Sequence, residues 1–223
     1  MATYINSAMK QLLLDIQPPA SPSFDNFVVG SNAEAIHQLQ SACSAQQTGT
    51  EQHFIYIWGG KGSGKSHLIS ACQTARKQII CVDDVQLLDD ASQIALFNTY
   101  NQIRDGNAQL EDHQLARTLI VAGNAAPTQL GLRDDLATRL AWGLSYQLQQ
   151  LSDEEKALAL LSHAQSRGMR LPAEVIDYCL RYLRRDLPTL IATVNALDQW
   201  SLSTKKPITV PMLRQLLQLN LEI

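Results

Sequence analysis

No apolar run in the 223 residues approaches the roughly 20 that a membrane-spanning helix needs. Nor does a basic N-terminal region lead into a long apolar stretch, so a secretory leader is not expected and a soluble, cytoplasmic protein is. Cysteine is sparse. Cys43, Cys72, Cys81 and Cys179 form no C-x-x-C and no Cys/His pair at zinc-site spacing, which removes a structural zinc site and reads as reduced, mostly buried thiols. An excess of positive charge is also missing: 18 Lys+Arg against 21 Asp+Glu give a formal net charge of -3 and a pI near 5.9. Binding to phosphate backbone is therefore not a bulk property, and any DNA association is expected to be indirect. Internal repeats are absent. What remains is an ordinary globular composition, 45% hydrophobic, at a length suiting one large domain or two small ones.

Residues 1–22 carry Pro18, Pro19 and Pro22, which block a continuous helix or central strand and predict a flexible arm. A helical period follows from about Asn32 to Ala45, with Ala35, Ile36 and Leu39 on one face. Phe54–Trp58, Ile79–Val82 and Thr118–Ala122 are short β-branched and aromatic runs that predict buried strands. Helical stretches lie between them, at Lys65–Lys77 and Ala91–Arg104, with a polar stretch at Gly106–Gln114. Strands alternating with helices argue for a parallel sheet. After about residue 150 the strand signals cease. Ser152 and Glu155 form a capping box for a helix running to Arg167 and ending at Gly168. Pro172 suits the first turn of another helix, and Leu187–Leu202 and Met212–Leu219 predict two more. The expected organisation is an arm at 1–22, an αβα core at 23–150 and a small all-α portion at 151–223.

The most specific signal is Gly59-Gly60-Lys61-Gly62-Ser63-Gly64-Lys65-Ser66, which fits G-x-x-x-x-G-K-[ST] between a predicted strand and a predicted helix. Glycines let backbone N–H groups curl around a phosphate, and the helix N-terminus adds positive potential. Lys65 would reach the β/γ-phosphates and the Ser66 hydroxyl would ligate Mg2+. An empty Gly-rich turn is the alternative, which four glycines in register with Lys-Ser disfavour. Asp83 and Asp84 end the next strand. Asp83 would hold Mg2+ through water, and Asp84 could polarise an attacking water, unless both simply form a solvated acidic turn. Asn124, after the third strand, either lies near a γ-phosphate or serves as a turn residue beside Gly123.

Several strings together resemble the AAA+ ATPase module of the bacterial replication initiator DnaA: Ser23–Asn32 before the loop, Gly64-Lys65-Ser66-His67-Leu68 closing it, Val82-Asp83-Asp84-Val85, and Leu136–Gly143. The resemblance covers about residues 23–219. It implies an α/β fold, an AAA+ P-loop NTPase core with helices on both faces of a parallel sheet, plus a small all-α lid. It also implies ADP or ATP with Mg2+ as cofactors, with His67, Val28 and Val29 beside the nucleotide. The initiator continues into a helix-turn-helix domain, and nothing after the lid here resembles one. On that ground the chain is identified as a member of the DnaA regulatory inactivator family (Hda).

That resemblance implies DnaA and the DNA polymerase sliding clamp as partners; the lack of a long apolar run points to no membrane partner, and a homo-oligomer stays open. Gln11, Leu12, Leu14 and Ile16 resemble the peptide with which the family docks on the clamp; a stray helical turn packing on the body is the alternative. Arg139 matches the family's arginine finger, a catalytic residue projecting into a neighbour's ATP site. The bland reading is an i,i+4 ion pair with Asp135, and Arg133 is a weaker finger candidate.

Two departures from the pattern matter. Too few residues separate Lys65 from Asp83 for the usual helix, edge strand and second helix, so one strand of the 5-1-4-3-2 order is expected to be missing and the acidic strand becomes an edge. Pro188 stands where the lid arginine reaching the phosphates is implied, with Arg184 and Arg185 the nearest substitutes. The expected function is stimulation of hydrolysis of DnaA-bound ATP in trans, with weak intrinsic hydrolysis. The alternatives are a self-hydrolysing ATPase of helicase-loader type and a nucleotide-gated adaptor.

Overall fold

A computed structural model describes residues 21–44, 53–75, 78–110, 114–184 and 186–219. Over these residues the chain forms two compact units, Ser21–Glu155 and 156–219. Residues 11–16, the clamp-like peptide, lie outside the described residues, as does Arg185.

The first unit contains α1 (Ala33–Cys43), β1 (His53–Trp58), α2 (Lys65–Ala75), β2 (Ile79–Val82), α3 (Asp90–Arg104), β3 (Thr118–Gly123), α4 (Asp134–Trp142) and β4 (Leu144–Gln147). All strand pairs are parallel and the order is β2-β3-β1-β4. Strand period two assigns the faces. Ile55, Ile57, Ile120 and Ala122 pack with Leu39 of α1 and Leu68 of α2. Tyr56, Leu119 and Val121 point the other way, against Leu96 and Ile103 of α3 and Leu136 and Leu140 of α4. β3, covered on both sides, is buried along its whole length, as expected for a central parallel strand.

The described sheet has four strands, and β2, carrying the acidic pair, pairs with β3 alone. The shortened interval after Lys65 thus has the expected consequence: the strand that would flank β2 is absent among the described residues. β4 has no counterpart in the sequence reading. It is an edge strand with mostly exposed side chains, so Leu144–Gln147 makes no apolar run to recognise. The polar stretch after α3 folds back on itself. Ala116 N donates to Ala108 O at 2.8 Å, Gln109 bridges Leu115, and Gln78 Nε2 donates to Gln114 Oε1 at 2.5 Å beside the start of β2.

The second unit is all helical: the body of α5 (Asp153–Ser166), α6 (Ala173–Tyr182), α7 (Leu187–Thr204) and α8 (Val210–Leu219). Leu160, Cys179, Leu190, Val194, Leu197 and Leu213 form its core, each fully buried. The capping box is present: Ser152 N donates to Glu155 Oε2 at 2.7 Å and Glu155 N to Ser152 Oγ at 3.1 Å. At the far end Gly168 takes φ 69 and Met169 N donates to Ala164 O at 2.9 Å, closing α5.

Close packing at the end of β3 requires a glycine. A Cβ on Gly123 would collide with Tyr56 Oη, and the Tyr56 hydroxyl is itself fixed by donating to Ala125 O at 2.7 Å. Burial pushes the Tyr56 phenol pKa upward, so it remains a donor. Gly123→Ala should lower stability by about 1–3 kcal/mol through this overpacking, measured by urea unfolding; Tyr56→Phe in the same background should recover part of the loss by removing the atom that collides.

Candidate nucleotide site

Parallel register brings the functional loops to one rim. Trp58 lies beside Gly123 and Val82 beside Val121, so the phosphate loop, Asp83–Asp84 and Asn124 all leave the same carboxyl edge of the sheet. Ligands of open α/β sheets bind along such an edge.

Glycine is needed within the loop for two separate reasons. Gly62 and Gly64 adopt φ 84 and φ 93, a region closed to most side chains, and a Cβ on Gly64 would come within 2.6 Å of the Phe27 ring. Gly59 has ordinary φ but no room, since its Cβ would sit 2.5 Å from Leu148 O. Lys65 starts α2, is buried, and donates through Nζ to Gly59 O at 2.8 Å and Gly60 O at 3.1 Å. Ser66 beside it is exposed at the helix N-terminus. The Ser63 hydroxyl is buried without a hydrogen-bond partner. Lys61 O accepts from Gln150 Nε2 at 2.6 Å, which pins the loop to the segment after β4. A glycine cradle, a buried lysine at the mouth of a helix and an orphaned hydroxyl fit a nucleotide phosphate. Among the described residues there is no group of three His, Cys, Asp or Glu that could hold a metal ion; at this rim the residues that could contribute to holding Mg2+ are Ser66, at the start of α2, and Asp83, after β2.

Asp83 is half-buried and Asp84 exposed. Asp84 adopts φ 47, a left-handed conformation that Asp tolerates better than most residues, while its N–H donates to Asp83 Oδ1 at 2.9 Å. Gln86, which the sequence reading did not single out, joins the two acidic positions to Asn124. Its Nε2 donates to Asp84 Oδ1 at 2.8 Å and its Oε1 accepts from Asn124 N at 3.2 Å. Asn124 itself is exposed.

The segment before α1 abuts the loop. Phe27 meets His67 edge-on, with centroids 5.3 Å apart, and His67 Nε2 lies 2.9 Å from Ser23 O. Val28 is half-buried and Val29 is exposed. The Asn32 side chain clamps the backbone after β4, donating to Gln149 O at 3.0 Å and accepting from Gln149 N at 2.7 Å. Phe27, Asn32 and Gln150 join sites far apart in sequence, and no local motif marks them.

Arg139 lies in α4, half-buried, and the i,i+4 pair with Asp135 is not formed. Asp135 is engaged by Arg133 at 3.2 Å, and Arg139 stacks over Trp142 instead, 4.5 Å from the ring centroid, with Tyr100 at 6.0 Å. In the helical unit Pro188 is exposed in the first turn of α7, a turn capped by Asp186 accepting from Thr189 N at 3.0 Å. Burial acts to raise the Asp186 pKa, but the hydrogen bonds from Thr189 outweigh it and hold the carboxyl below its usual value.

Residues 153–217 match the family model described as the Hda lid domain, and residues 20–78 match that of the bacterial DnaA ATPase domain. Over these two stretches the chain is related to Hda and to DnaA. Among similar solved structures is domain III of the Thermotoga maritima replication initiation protein DnaA, at 20% identity and TM-score 0.67, covering 90% of this chain and 98% of that one. Another is AMPPCP-bound DnaA from Aquifex aeolicus, at 21% identity and TM-score 0.62, covering 80% and 65% respectively. The Thermotoga maritima RuvB Holliday junction branch migration motor follows at 15% identity and TM-score 0.57, covering 92% and 72%. The shared fold is the AAA+ core. A segment of DnaA ATPase type and a segment of Hda lid type thus occur in one chain.

Replacing Lys65 by Met removes the buried ammonium while keeping its stem. Affinity for a fluorescent ADP analogue, read by anisotropy, should fall about 10- to 100-fold, the range expected for losing charge-assisted hydrogen bonds.

Proposed function

We propose that this chain regulates initiation of bacterial chromosome replication by stimulating hydrolysis of DnaA-bound ATP in trans, while held on the DNA polymerase sliding clamp. The observation that carries this reading is Arg139: a guanidinium with no carboxylate partner among the described residues, on a helix of a P-loop core. Presented to a neighbour's ATP, its N–H groups would donate to the transferring phosphoryl oxygens as charge spreads over them. Such fingers contribute on the order of 10³–10⁵ in rate. Arg139 is the catalytic residue in this sense, acting on a nucleotide held by another protein.

In its own loop the chain would bind ADP or ATP. Gly59–Gly64 would cradle the phosphates through backbone N–H groups, and Lys65 would leave the Gly59 and Gly60 carbonyls to donate to them. Ser66 and Asp83 would hold Mg2+, which supplies charge neutralisation at the phosphates. Val28, Val29 and His67 would border the nucleotide. Asn124 and Asp84, joined through Gln86, would face the terminal phosphate end. Pro188 has no charge to offer at the lid position where the resemblance implies an arginine, which supports weak intrinsic hydrolysis. The peptide Gln11, Leu12, Leu14 and Ile16 supports the clamp by sequence alone.

A second reading is a self-hydrolysing ATPase of helicase-loader type. It is favoured by Lys65, Ser66, Asp83 and Asp84 all lying at one rim of the sheet. A nucleotide-gated adaptor is the third.

The deciding experiment follows radiolabelled ATP on DnaA with DNA-loaded clamp. The native chain should accelerate conversion to ADP, Arg139→Ala should reduce the acceleration about 10³-fold, and deleting residues 11–16 should abolish its dependence on the clamp. Turnover by this chain alone, lost in Asp84→Asn, would favour the second reading. Arg139→Ala behaving as the native chain would remove the finger.

A further inference from the structure

An arginine four residues after an aspartate on an exposed helix has a default partner, and in α4 that partner for Arg139 is Asp135. The side chains are arranged otherwise. Arg133 reaches from the N-cap position onto Asp135 through two hydrogen bonds, Nε to Oδ1 at 3.3 Å and Nη2 to Oδ2 at 3.2 Å. The Arg133 hydrogen bond is the foremost cause holding the Asp135 carboxyl below its usual pKa. The start of α4 is fixed as well: buried Gln93 accepts from Arg133 N at 2.9 Å and donates to Leu88 O at 3.0 Å. Freed from Asp135, the Arg139 guanidinium lies 4.5 Å from the centroid of Trp142, a side chain left 67% exposed, and 6.0 Å from that of Tyr100.

The two modes differ in what they leave over. A carboxylate takes the N–H edge of a guanidinium, the same edge that would bind phosphoryl oxygens. An aromatic ring takes the face and leaves the five N–H groups unengaged. A ring contact also restrains a side chain that otherwise loses about 2 kcal/mol of rotamer entropy when it is ordered. We propose that Arg133 and Trp142 are positioning residues for Arg139: Arg133 occupies Asp135, the acid spaced to close that edge, and Trp142 holds the guanidinium by its face. This rests on Arg139 acting as the finger. It assigns Arg133 a role other than contact with the partner.

Two readouts separate this inference from the reading beneath it. The first uses the full chain alone. Modification of Arg139 by phenylglyoxal, followed by peptide mass spectrometry, reports whether its edge is free. Arg133→Ala should slow modification roughly two- to three-fold as Asp135 turns to Arg139, and Arg133→Ala with Asp135→Asn should restore it. The second is hydrolysis of DnaA-bound ATP with DNA-loaded clamp. The same pair should lose and regain stimulation, Trp142→Leu should lower it about five-fold, and Trp142→Phe should recover most of that loss. Thermal unfolding checks that each variant is folded. Unchanged Arg139 reactivity in Arg133→Ala overturns the guard role. A double variant with restored reactivity but no stimulation also overturns it, because Arg133 then touches the partner itself. Full stimulation by Trp142→Leu removes the role of the ring. If the native chain stimulates nothing, the functional reading fails, while the reactivity measurement still decides the arrangement around Arg139.

Discussion

Parallel pairing of β3 with both β1 and β2 is the constraint on which the candidate site depends. Because β3 is buried on both faces, its register is fixed by which residues meet the helices on each side. A slip of one residue would send Ile120 and Ala122 toward α3 and α4 and reverse the packing. With the register fixed, Trp58, Val82 and Gly123 end near one rim, and whatever follows them is delivered to the same place. Gly123 tightens the arrangement further by admitting the Tyr56 hydroxyl where a side chain would exclude it. The phosphate loop, the acidic pair and Asn124 are therefore positioned by apolar packing beneath them more than by contacts among themselves.

At that rim the polar groups are only partly self-sufficient. Lys65 satisfies its ammonium with two loop carbonyls, bonds a phosphate could replace with stronger charge-assisted ones. The buried Ser63 hydroxyl has nothing to satisfy it. A buried, unpaired hydroxyl is costly to retain, and such groups concentrate where a ligand completes the structure. Gln86 works in the opposite sense. It completes a bridge across the end of β3, one amide donating to the Asp84 carboxylate and accepting from the Asn124 N–H.

What could be read from the sequence, and what could not, follows from the range of the interactions. Phe54–Trp58, Ile79–Val82 and Thr118–Ala122 announce themselves because strands buried on both faces need unbroken apolar runs. The phosphate loop and the Ser152–Glu155 box are local by nature. Even the lost strand was legible, as too few residues between Lys65 and Asp83. β4 was not, because an edge strand with exposed side chains carries no such run. The surroundings of Arg139 were not legible for a related reason. Spacing names Asp135 as the neighbour, but it cannot show that Arg133, outside the helix, reaches the same acid first. Gln86, Asn32 and Gln150 each join segments 38 or more residues apart, and nothing in their immediate sequence marks them.

Two arginine positions divide holding a nucleotide from acting on one. At the lid position Pro188 fixes the first turn of α7 and contributes no charge, so the features argued to hold a nucleotide are the loop, its lysine and the acidic pair. On α4 the opposite holds: Arg139 retains its charge, lacks an acidic partner among the described residues, and rests on an exposed ring. A chain built to hydrolyse its own ATP gains from the first position and little from the second. A chain built to act on a neighbour needs the second and can dispense with the first. The proposed function takes the second course: under it, slow turnover would keep the core assembled around its nucleotide, while Arg139, resting on the exposed Trp142 ring, would act on a neighbour.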